Sequence, residues 1–321
     1  MDNKVALIIG ITGQDGSYLA KLLINKGYKV FGTTRDTFTA NTSNLRMLSI
    51  DNKVKLISTS INDFRSLIFT LEKTNPSIIF HLAGQTSVGL SFQLPFEAVE
   101  SISISTLNLL ETVRFFNKKI KIFIPCSSDC FGNTDQNNPA KENTPHNPMS
   151  PYAVAKSSSY WLAKTYRNSY DMFISVGFLS NHESPLRGKH FVTSKLFRGI
   201  EEIKSKKISK LFFGDLSIIR DWGWAPSYVK AIYKMITKDK PDDYIIASGN
   251  SYSLREVVDK AFVIAGLGDS SRYIKFVDNE IRPNEIKSSY LNPEKANNLL
   301  KWDNELTIDS MILKLINRDL Y

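Results

Sequence analysis

Cysteine is almost missing from this chain of 321 residues: only Cys126 and Cys130 occur, four positions apart. Two thiols are too few for a disulfide framework and the wrong count for a four-ligand zinc site. The four histidines, at 81, 146, 182 and 190, are scattered and add no ligand spacing, so no metal is expected. The cysteines read as small buried thiols. Long apolar runs are missing too. The opening "MDNKVALIIGITGQDG" holds five apolar residues before its first glycine, which fits neither a secretory signal nor a membrane span. A cytoplasmic protein with no membrane partner is the default expectation. The net charge is +9, yet no aromatic-interleaved basic repeat or zinc-finger spacing accompanies it. Basic residues are spread along the chain and densest at "KSKKISK" (204–210), which favours a solvated face, and next an anionic small substrate, over nucleic acid.

What is present is ordinary globular composition, 42% hydrophobic and 23% charged, in a chain long enough for one or two domains. The first half alternates short β-branched runs with helical patterns. Strands are expected in "KVALIIG", "KVFGTTR", "VKLISTSI", "SIIFHLAG", "IKIFIPCSS" and "MFISVGFLSNHES", with helices between them, including one long helix over "PFEAVESISISTLNLLETVRFF". Such a βαβ series predicts an α/β fold with a Rossmann-type, doubly wound parallel sheet. Beyond residue 185 the periodicity is less regular and Pro, Lys and Asp rise. The expected division is a nucleotide-binding core over 1–184, to which later segments return, and a smaller C-terminal α/β substrate-binding lobe over 185–321.

Gly10, Gly13 and Gly16 lie directly after the first strand and open a helix. Glycines there permit a tight turn and close approach to a pyrophosphate, whose charge meets free N–H groups at the helix N-terminus. At the end of the second strand, where an acidic residue would bond a ribose 2′-hydroxyl, the chain reads Thr33-Thr34-Arg35-Asp36. Arg35 suits a 2′-phosphate and Asp36 repels one, so NAD and NADP both stay open. Asp63 is placed either to accept from an adenine amino group or to cap the next helix.

"YAVAK" sets Tyr152 and Lys156 at i and i+4, on one helix face. A phenol is a poor base at neutral pH, and a neighbouring ammonium favours its phenolate. Beside a nicotinamide such a pair takes a proton from a carbinol as hydride leaves the carbon. The competing reading is a surface contact. The glycine loop upstream and Ser127-Ser128 at a strand end favour the chemical one.

Together these features resemble the extended short-chain dehydrogenase/reductase family. "GITGQDGSYLA", "LAGQTSVGLSF", "NHESPLRGKHFVT", "RDWGWAPSYVKA" and "IRPNEI" resemble its GDP-mannose 4,6-dehydratase group, especially shorter members that act on GDP-mannose or GDP-manno-heptose. The resemblance runs over nearly the whole chain. It implies an NAD(P)-dependent enzyme that oxidises C4 of a GDP-sugar and continues to 4,6-dehydration. Gly10, Gly13, Gln14, Asp15, Gly16 and Arg35 would hold the dinucleotide, with Asp63, Leu82, Ala83 and Gln85 lining it. Tyr152 would be the base at O4, Lys156 would lower its pKa and hold the nicotinamide ribose, and Ser127 would hydrogen-bond O4. Ser87, Asn181, Glu183, Val192, Lys195, Arg220, Arg282 and Glu285 match positions that contact the GDP-sugar. For Arg220 the other reading is an ion pair with Asp221 or Asp215, and for Arg282 one with Glu285. The loop "TTRDTFTANTSNL" corresponds to one that joins dimers into tetramers, so a homo-oligomer, dimer or tetramer, is implied.

One position departs from the group. The strand-end triplet usually finishes in glutamate, which removes the C5 proton and helps expel the C6 hydroxyl; here it is Asp129. The side chain is one methylene shorter, and a misplacement of ~1 Å can cost on the order of 10²-fold in rate. A C4 dehydrogenase that stops at the GDP-4-keto sugar, or a 4-epimerase that returns the hydride to the other face, is therefore the alternative. A non-catalytic nucleotide-binding protein is the distant one.

Overall fold

Val5–Ile9 forms the first strand, β1, and its side chains divide between two hydrophobic clusters: Ala6 and Ile8 enter one, Leu7 and Ile9 the other. A strand buried on both faces belongs in a parallel sheet covered by helices. The structure, a computed structural model, describes residues 4–277 and 282–321. After β1 come β2 (Lys29–Thr34), β3 (Lys55–Ser58), β4 (Ile78–His81), β5 (Lys121–Ser127), β6 (Ile174–Leu179), β7 (Asn181–Glu183), β8 (Leu211–Phe213), β9 (Ile219–Trp224), β10 (Asp243–Ile246), β11 (Ser251–Ser253) and β12 (Ile274–Phe276).

The main sheet has the order β10-β6-β5-β4-β1-β2-β3, and every neighbouring pair is parallel. Strand order reverses between β1 and β4, where Ile9 lies opposite His81. Beyond the carboxyl ends of those two strands opens the crevice in which such sheets bind ligands. Helices Gln14–Asn25 and Ala225–Ile236 cover one face; Phe64–Thr74, Ser105–Phe116 and Pro151–Tyr170 cover the other.

Three features differ from the sequence expectations. The sixth strand does not run through to residue 184: it ends at Leu179, and Asn181–Glu183 passes into a separate three-stranded sheet ordered β11-β9-β7. Ser180 is the corner. Its N–H still donates to the Ile246 carbonyl at 3.0 Å, while its hydroxyl donates to the buried Asp221 carboxylate at 2.7 Å. The main sheet also gains a seventh strand, because β10 pairs with β6 with Asp243 opposite Val176. Finally, the long helix over residues 95–116 carries one π-helical turn, Glu100–Ile104. There the Ser101 hydroxyl accepts from the Gln85 N–H at 3.1 Å, a tie between this helix and the loop after β4.

A third cluster, around Leu196, Phe213, Trp222, Trp224, Phe262 and Ile312, lies in the later part of the chain. No helix among the described residues is long and apolar enough to cross a membrane.

Candidate active site

The glycine loop is held by contacts that only glycine permits. Gly10 has φ +89°, and a Cβ there would lie 2.7 Å from the Ala83 nitrogen; at Gly16 it would lie 2.4 Å from the Gly10 carbonyl oxygen. Gly13 caps the helix Gln14–Asn25 without a side chain, leaving first-turn N–H groups unpaired at its positive end. Gly10, Gly13, Gln14, Asp15 and Gly16 thus form one wall of a cavity of about 520 Å³, and Leu82 and Ala83 extend it. The cradle fits the pyrophosphate of a dinucleotide; Gln85, in the loop beyond Ala83 but outside the cavity wall, has a buried Oε1 with no partner among the described residues.

Opposite this wall stands the end of β5. Ser127 caps a short 3₁₀ turn, Ser128–Phe131, its hydroxyl accepting from the Asp129 N–H at 3.2 Å. The helix Pro151–Tyr170 begins beside it, capped by the Ser150 hydroxyl and started by Pro151. Tyr152 and Lys156 point into the same cavity as Ser127 and Asp129. Lys156 Nζ donates to the Pro125 carbonyl at 2.9 Å and lies 5.9 Å from the Tyr152 ring centroid. Burial pushes the Tyr152 phenol well above its ordinary pKa; the Asp129 charge adds to this, and a hydrogen bond with Ser127 works against it. Burial also lowers the Lys156 ammonium from 10.5.

The third wall comes from β7 and β9. Asn181, Glu183, Val192, Arg220 and Arg282 line the cavity, and Ser87 joins them as the cap of the helix Val88–Gln93. Arg220 is 5% exposed and donates to Glu285 Oε1 at 2.8 Å; Arg282 reaches the same oxygen at 3.2 Å. Neither Asp221 nor Asp215 is the partner of Arg220. Asp221 accepts from Ser180, Ser248 and Gly249, and Asp215 pairs with Lys287 at 2.8 Å. Burial lowers the Arg220 pKa, opposed by the charges of Asp129 and Glu285. Glu183, 1% exposed, accepts from Thr193 at 2.5 Å and leaves Oε1 without a partner among the described residues.

Arg35, Asp63, Gln85, Lys195 and Glu285 are not in the cavity wall. Asp63 caps the helix Phe64–Thr74, accepting from the Arg65 N–H at 3.0 Å. Arg35 is exposed at the end of β2, and the Asp36 carboxylate is taken up by its own turn, accepting from Phe38 N–H at 2.9 Å and Thr39 Oγ1 at 2.8 Å. Lys195 Nζ sits 5.3 Å from the Phe213 ring. Glu285 acts through the two arginines it joins.

The sequence reading passed over His182, Arg187 and Trp222, all of which line the cavity. His182 Nε2 lies 2.9 Å from Asp15 Oδ2, and Arg187 donates to the His182 carbonyl at 3.0 Å. The signal available was their place in "NHESPLRGKHFVT" and "RDWGWAPSYVKA", beside residues already chosen. Among the described residues, no group of three His, Cys, Asp or Glu side chains is arranged to hold a metal ion.

The arrangement can therefore hold a nucleotide against a glycine cradle and place a buried Ser-Tyr-Lys set and a carboxylate against a second ligand gripped by arginine. The family described as GDP-mannose 4,6 dehydratase matches residues 7–315. GDP-mannose 4,6 dehydratase 1 of Arabidopsis thaliana is 36% identical over 327 residues, covering 99% of this chain and 90% of that protein. GDP-mannose 4,6-dehydratase of Vibrio cholerae is 38% identical over 353 residues, covering 100% and 94%. Among solved structures, dTDP-glucose 4,6-dehydratase of Bacillus anthracis in complex with NAD superposes with a TM-score of 0.85 at 21% identity, covering 98% of this chain and 96% of that one. UDP-glucose 4-epimerase of Thermus thermophilus with NAD gives 0.86 at 20%, covering 98% of each. At that identity the likeness speaks for the fold.

Proposed function

The chain belongs to the GDP-mannose 4,6-dehydratase family, and from that premise we propose that it oxidises C4 of a GDP-manno-configured sugar and then removes water across C5 and C6. The observation that carries the proposal is the convergence of Ser127, Asp129, Tyr152 and Lys156 on one cavity walled by the glycine loop and by Arg220 and Arg282.

A nicotinamide dinucleotide bound against Gly10, Gly13, Gln14, Asp15, Gly16, Leu82 and Ala83 supplies the acceptor, and later the donor, of a hydride. Tyr152 takes the proton of the C4 hydroxyl, and Ser127 hydrogen-bonds O4. Lys156 is the cation that favours the phenolate once the cavity fills, and it holds the nicotinamide ribose. With a ketone at C4 the C5 proton is acidic; Asp129 removes it and returns it to the departing C6 hydroxyl, which leaves as water. Arg220 and Arg282 offer guanidinium donors to the diphosphate, a geometry suited to phosphate oxygens. Arg35 has no ion pair among the described residues and Asp36 is occupied in its turn, which supports NADP as well as NAD. In this reading the dinucleotide occupies mainly the 1–184 core and the sugar nucleotide mainly the 185–321 lobe. Self-association is supported by exposed apolar side chains on two neighbouring helices, Phe96 on one and Val154 and Trp161 on the other.

One observation favours a second reading, in which the product is the GDP-4-keto sugar. Asp129 is one methylene shorter than the acid its place in the family calls for. Incubation with GDP-mannose and with GDP-manno-heptose, with either cofactor, separates the two: a loss of about 18 mass units marks dehydration and a loss of about 2 marks oxidation alone. Recovery of both sugars unchanged in mass and in configuration at C4, with no reduced nicotinamide absorbance, would overturn the C4 chemistry altogether.

A further inference from the structure

The two thiols dismissed as packing residues are 3.4 Å apart, Sγ to Sγ, and the chain between them carries Ser127 and Asp129. Cys126 is the last residue but one of β5 and lines the cavity; Cys130 is fully buried inside the 3₁₀ turn behind it. Each thiol also meets a carbonyl of the helix Pro151–Tyr170: Cys126 with Lys156 O at 3.4 Å, Cys130 with Ala153 O at 3.7 Å. They touch each other, and one of them meets whatever enters the cavity. We propose that Cys126 and Cys130 form a redox modification site, closing to an intramolecular disulfide when a peroxide reaches the cavity.

The chemistry balances without further reactants. The peroxide oxygen is transferred to the Cys126 sulfur, giving a sulfenic acid and releasing water or an alcohol. The Cys130 sulfur then attacks the Cys126 sulfur, its proton leaving with the hydroxyl as a second molecule of water, and the S–S bond forms. Two thiols are oxidised by two electrons and the peroxide O–O bond is reduced. Access assigns the roles: only Cys126 faces the cavity, so it is attacked first and Cys130 resolves. Burial raises the Cys130 thiol well above its ordinary pKa, in keeping with the second role. Lys156, whose backbone carbonyl meets Cys126 Sγ, lines the same cavity, so its amine stands by the sulfur that is to react.

Closing the pair has a structural consequence. A disulfide needs an S–S distance of about 2.05 Å, so the sulfurs must approach by about 1.4 Å. The three residues spanned are Ser127, Ser128 and Asp129, and their short turn absorbs the movement. A displacement of ~1 Å at reacting groups costs on the order of 10²-fold in rate. Bound dinucleotide and sugar nucleotide fill the space beside Cys126 and protect it. The loss of turnover rests on the C4 chemistry proposed above; formation of the disulfide does not.

The full-length protein, treated with hydrogen peroxide, is alkylated under denaturing conditions and digested with trypsin. Both cysteines fall in one fragment, 122–141, which has no internal Lys or Arg. The expected result is a fragment about 2 mass units lighter that resists alkylation until dithiothreitol is added. Activity falls at least tenfold in parallel and returns with the reductant, and Cys126→Ala, which lacks the sulfur attacked first, retains its activity under the same dose. Two free alkylatable thiols after treatment, or sulfinic acid at Cys126 with Cys130 still free, would overturn the proposal. A disulfide that forms in a protein inactive on every GDP-sugar would sustain the site and overturn the proposed reaction instead.

Discussion

His182 Nε2 lies 2.9 Å from Asp15 Oδ2 while His182 Nδ1 lies 2.7 Å from the Ser180 carbonyl oxygen, so both ring nitrogens face acceptors. Only the doubly protonated imidazole satisfies both. Burial disfavours that charge, but the Asp15 charge and hydrogen bond outweigh it and the His182 pKa is raised above 6.5. Burial likewise disfavours the Asp15 carboxylate, and His182 outweighs it, so that pKa is lowered from 3.8. The pair ties the first turn of the helix under the glycine loop to the strand that carries Asn181 and Glu183. A raised histidine contributes stability that is complete below its unfolded value and drains away as pH rises through the folded one; the lowered carboxylate contributes stability above its unfolded value, lost as pH falls through the folded one. The melting temperature is therefore expected to decline as pH rises from about 6 towards about 9. In His182→Gln the decline is flatter and the protein is less stable at pH 6, by roughly 3 kcal/mol for a buried pair broken on one side. Thermal melts of both proteins across that range check this, and parallel slopes would refute it.

Tyr152→Phe removes the proposed proton acceptor and little else, because the side chain is buried at 9% exposure and the ring remains. Turnover is expected to fall by about 10²- to 10⁴-fold, the usual worth of a positioned acid or base. The KM for the sugar nucleotide changes far less. Reduced-nicotinamide absorbance during a single turnover is the measurement, and unchanged absorbance growth would remove Tyr152 from the chemistry. Since burial raises the phenol's pKa, the wild-type rate is also expected to rise with pH before it levels.

The glycine loop and the Tyr152–Lys156 pair were legible in the sequence because their geometry is local. Three glycines after an apolar run, and a spacing of four on a helix, fix relative positions whatever the rest of the fold does. The Asp15–His182 pair spans 167 residues, and no local pattern announces it. β10 was hidden for another reason: "YIIASG" is brief and follows "KDKPDD", so nothing in it shows that it returns to a sheet begun more than two hundred residues earlier. The sixth strand was drawn too long because "FLSNHES" keeps an extended pattern through Ser180 while its hydrogen bonds change sheets there. Contact between two cysteines four apart requires the turn Ser128–Phe131, and that turn depends on the Ser127 cap.

Glu285 Oε1 holds Arg220 and Arg282 together, and Arg220 also donates to the Ile219 carbonyl at 2.9 Å. A guanidinium so fixed would present its remaining donors to the diphosphate of the proposed substrate in one orientation. Arg220→Lys keeps the charge and loses the fork. The KM for the GDP-sugar is expected to rise about 10- to 100-fold with a smaller change in kcat, the mark of an interaction made equally in ground and transition states. Glu285→Gln, which frees both arginines to move, is expected to raise KM by less while lowering the melting temperature. Steady-state kinetics on the two variants distinguish these effects; an equal loss in kcat from Arg220→Lys would place that residue in the chemical step instead.

In the proposed reaction Asp129 decides how far the chemistry runs. Its charge acts on both neighbours that flank it: it pushes the Tyr152 phenol up and supports the Arg220 guanidinium against burial. Such a carboxylate would, in that reaction, have to serve C5 beside the C4 that Tyr152 serves, and the question is reach. Asp129→Asn removes the base for C5 while leaving C4 oxidation to Tyr152, and it also withdraws the negative charge that disfavours the phenolate. The expected outcome is that the 4-keto sugar, about 2 mass units lighter than substrate, becomes the sole product, with oxidation no slower than in the wild type. Asp129→Glu restores the missing methylene. If the wild type stops at the ketone, this variant is expected to release product about 18 mass units lighter, and if the wild type already dehydrates, the longer acid is expected to change the rate by less than about tenfold. Product mass spectra of the three proteins on one substrate decide it: dehydration that survives Asp129→Asn undiminished would assign the C5 proton to some other group.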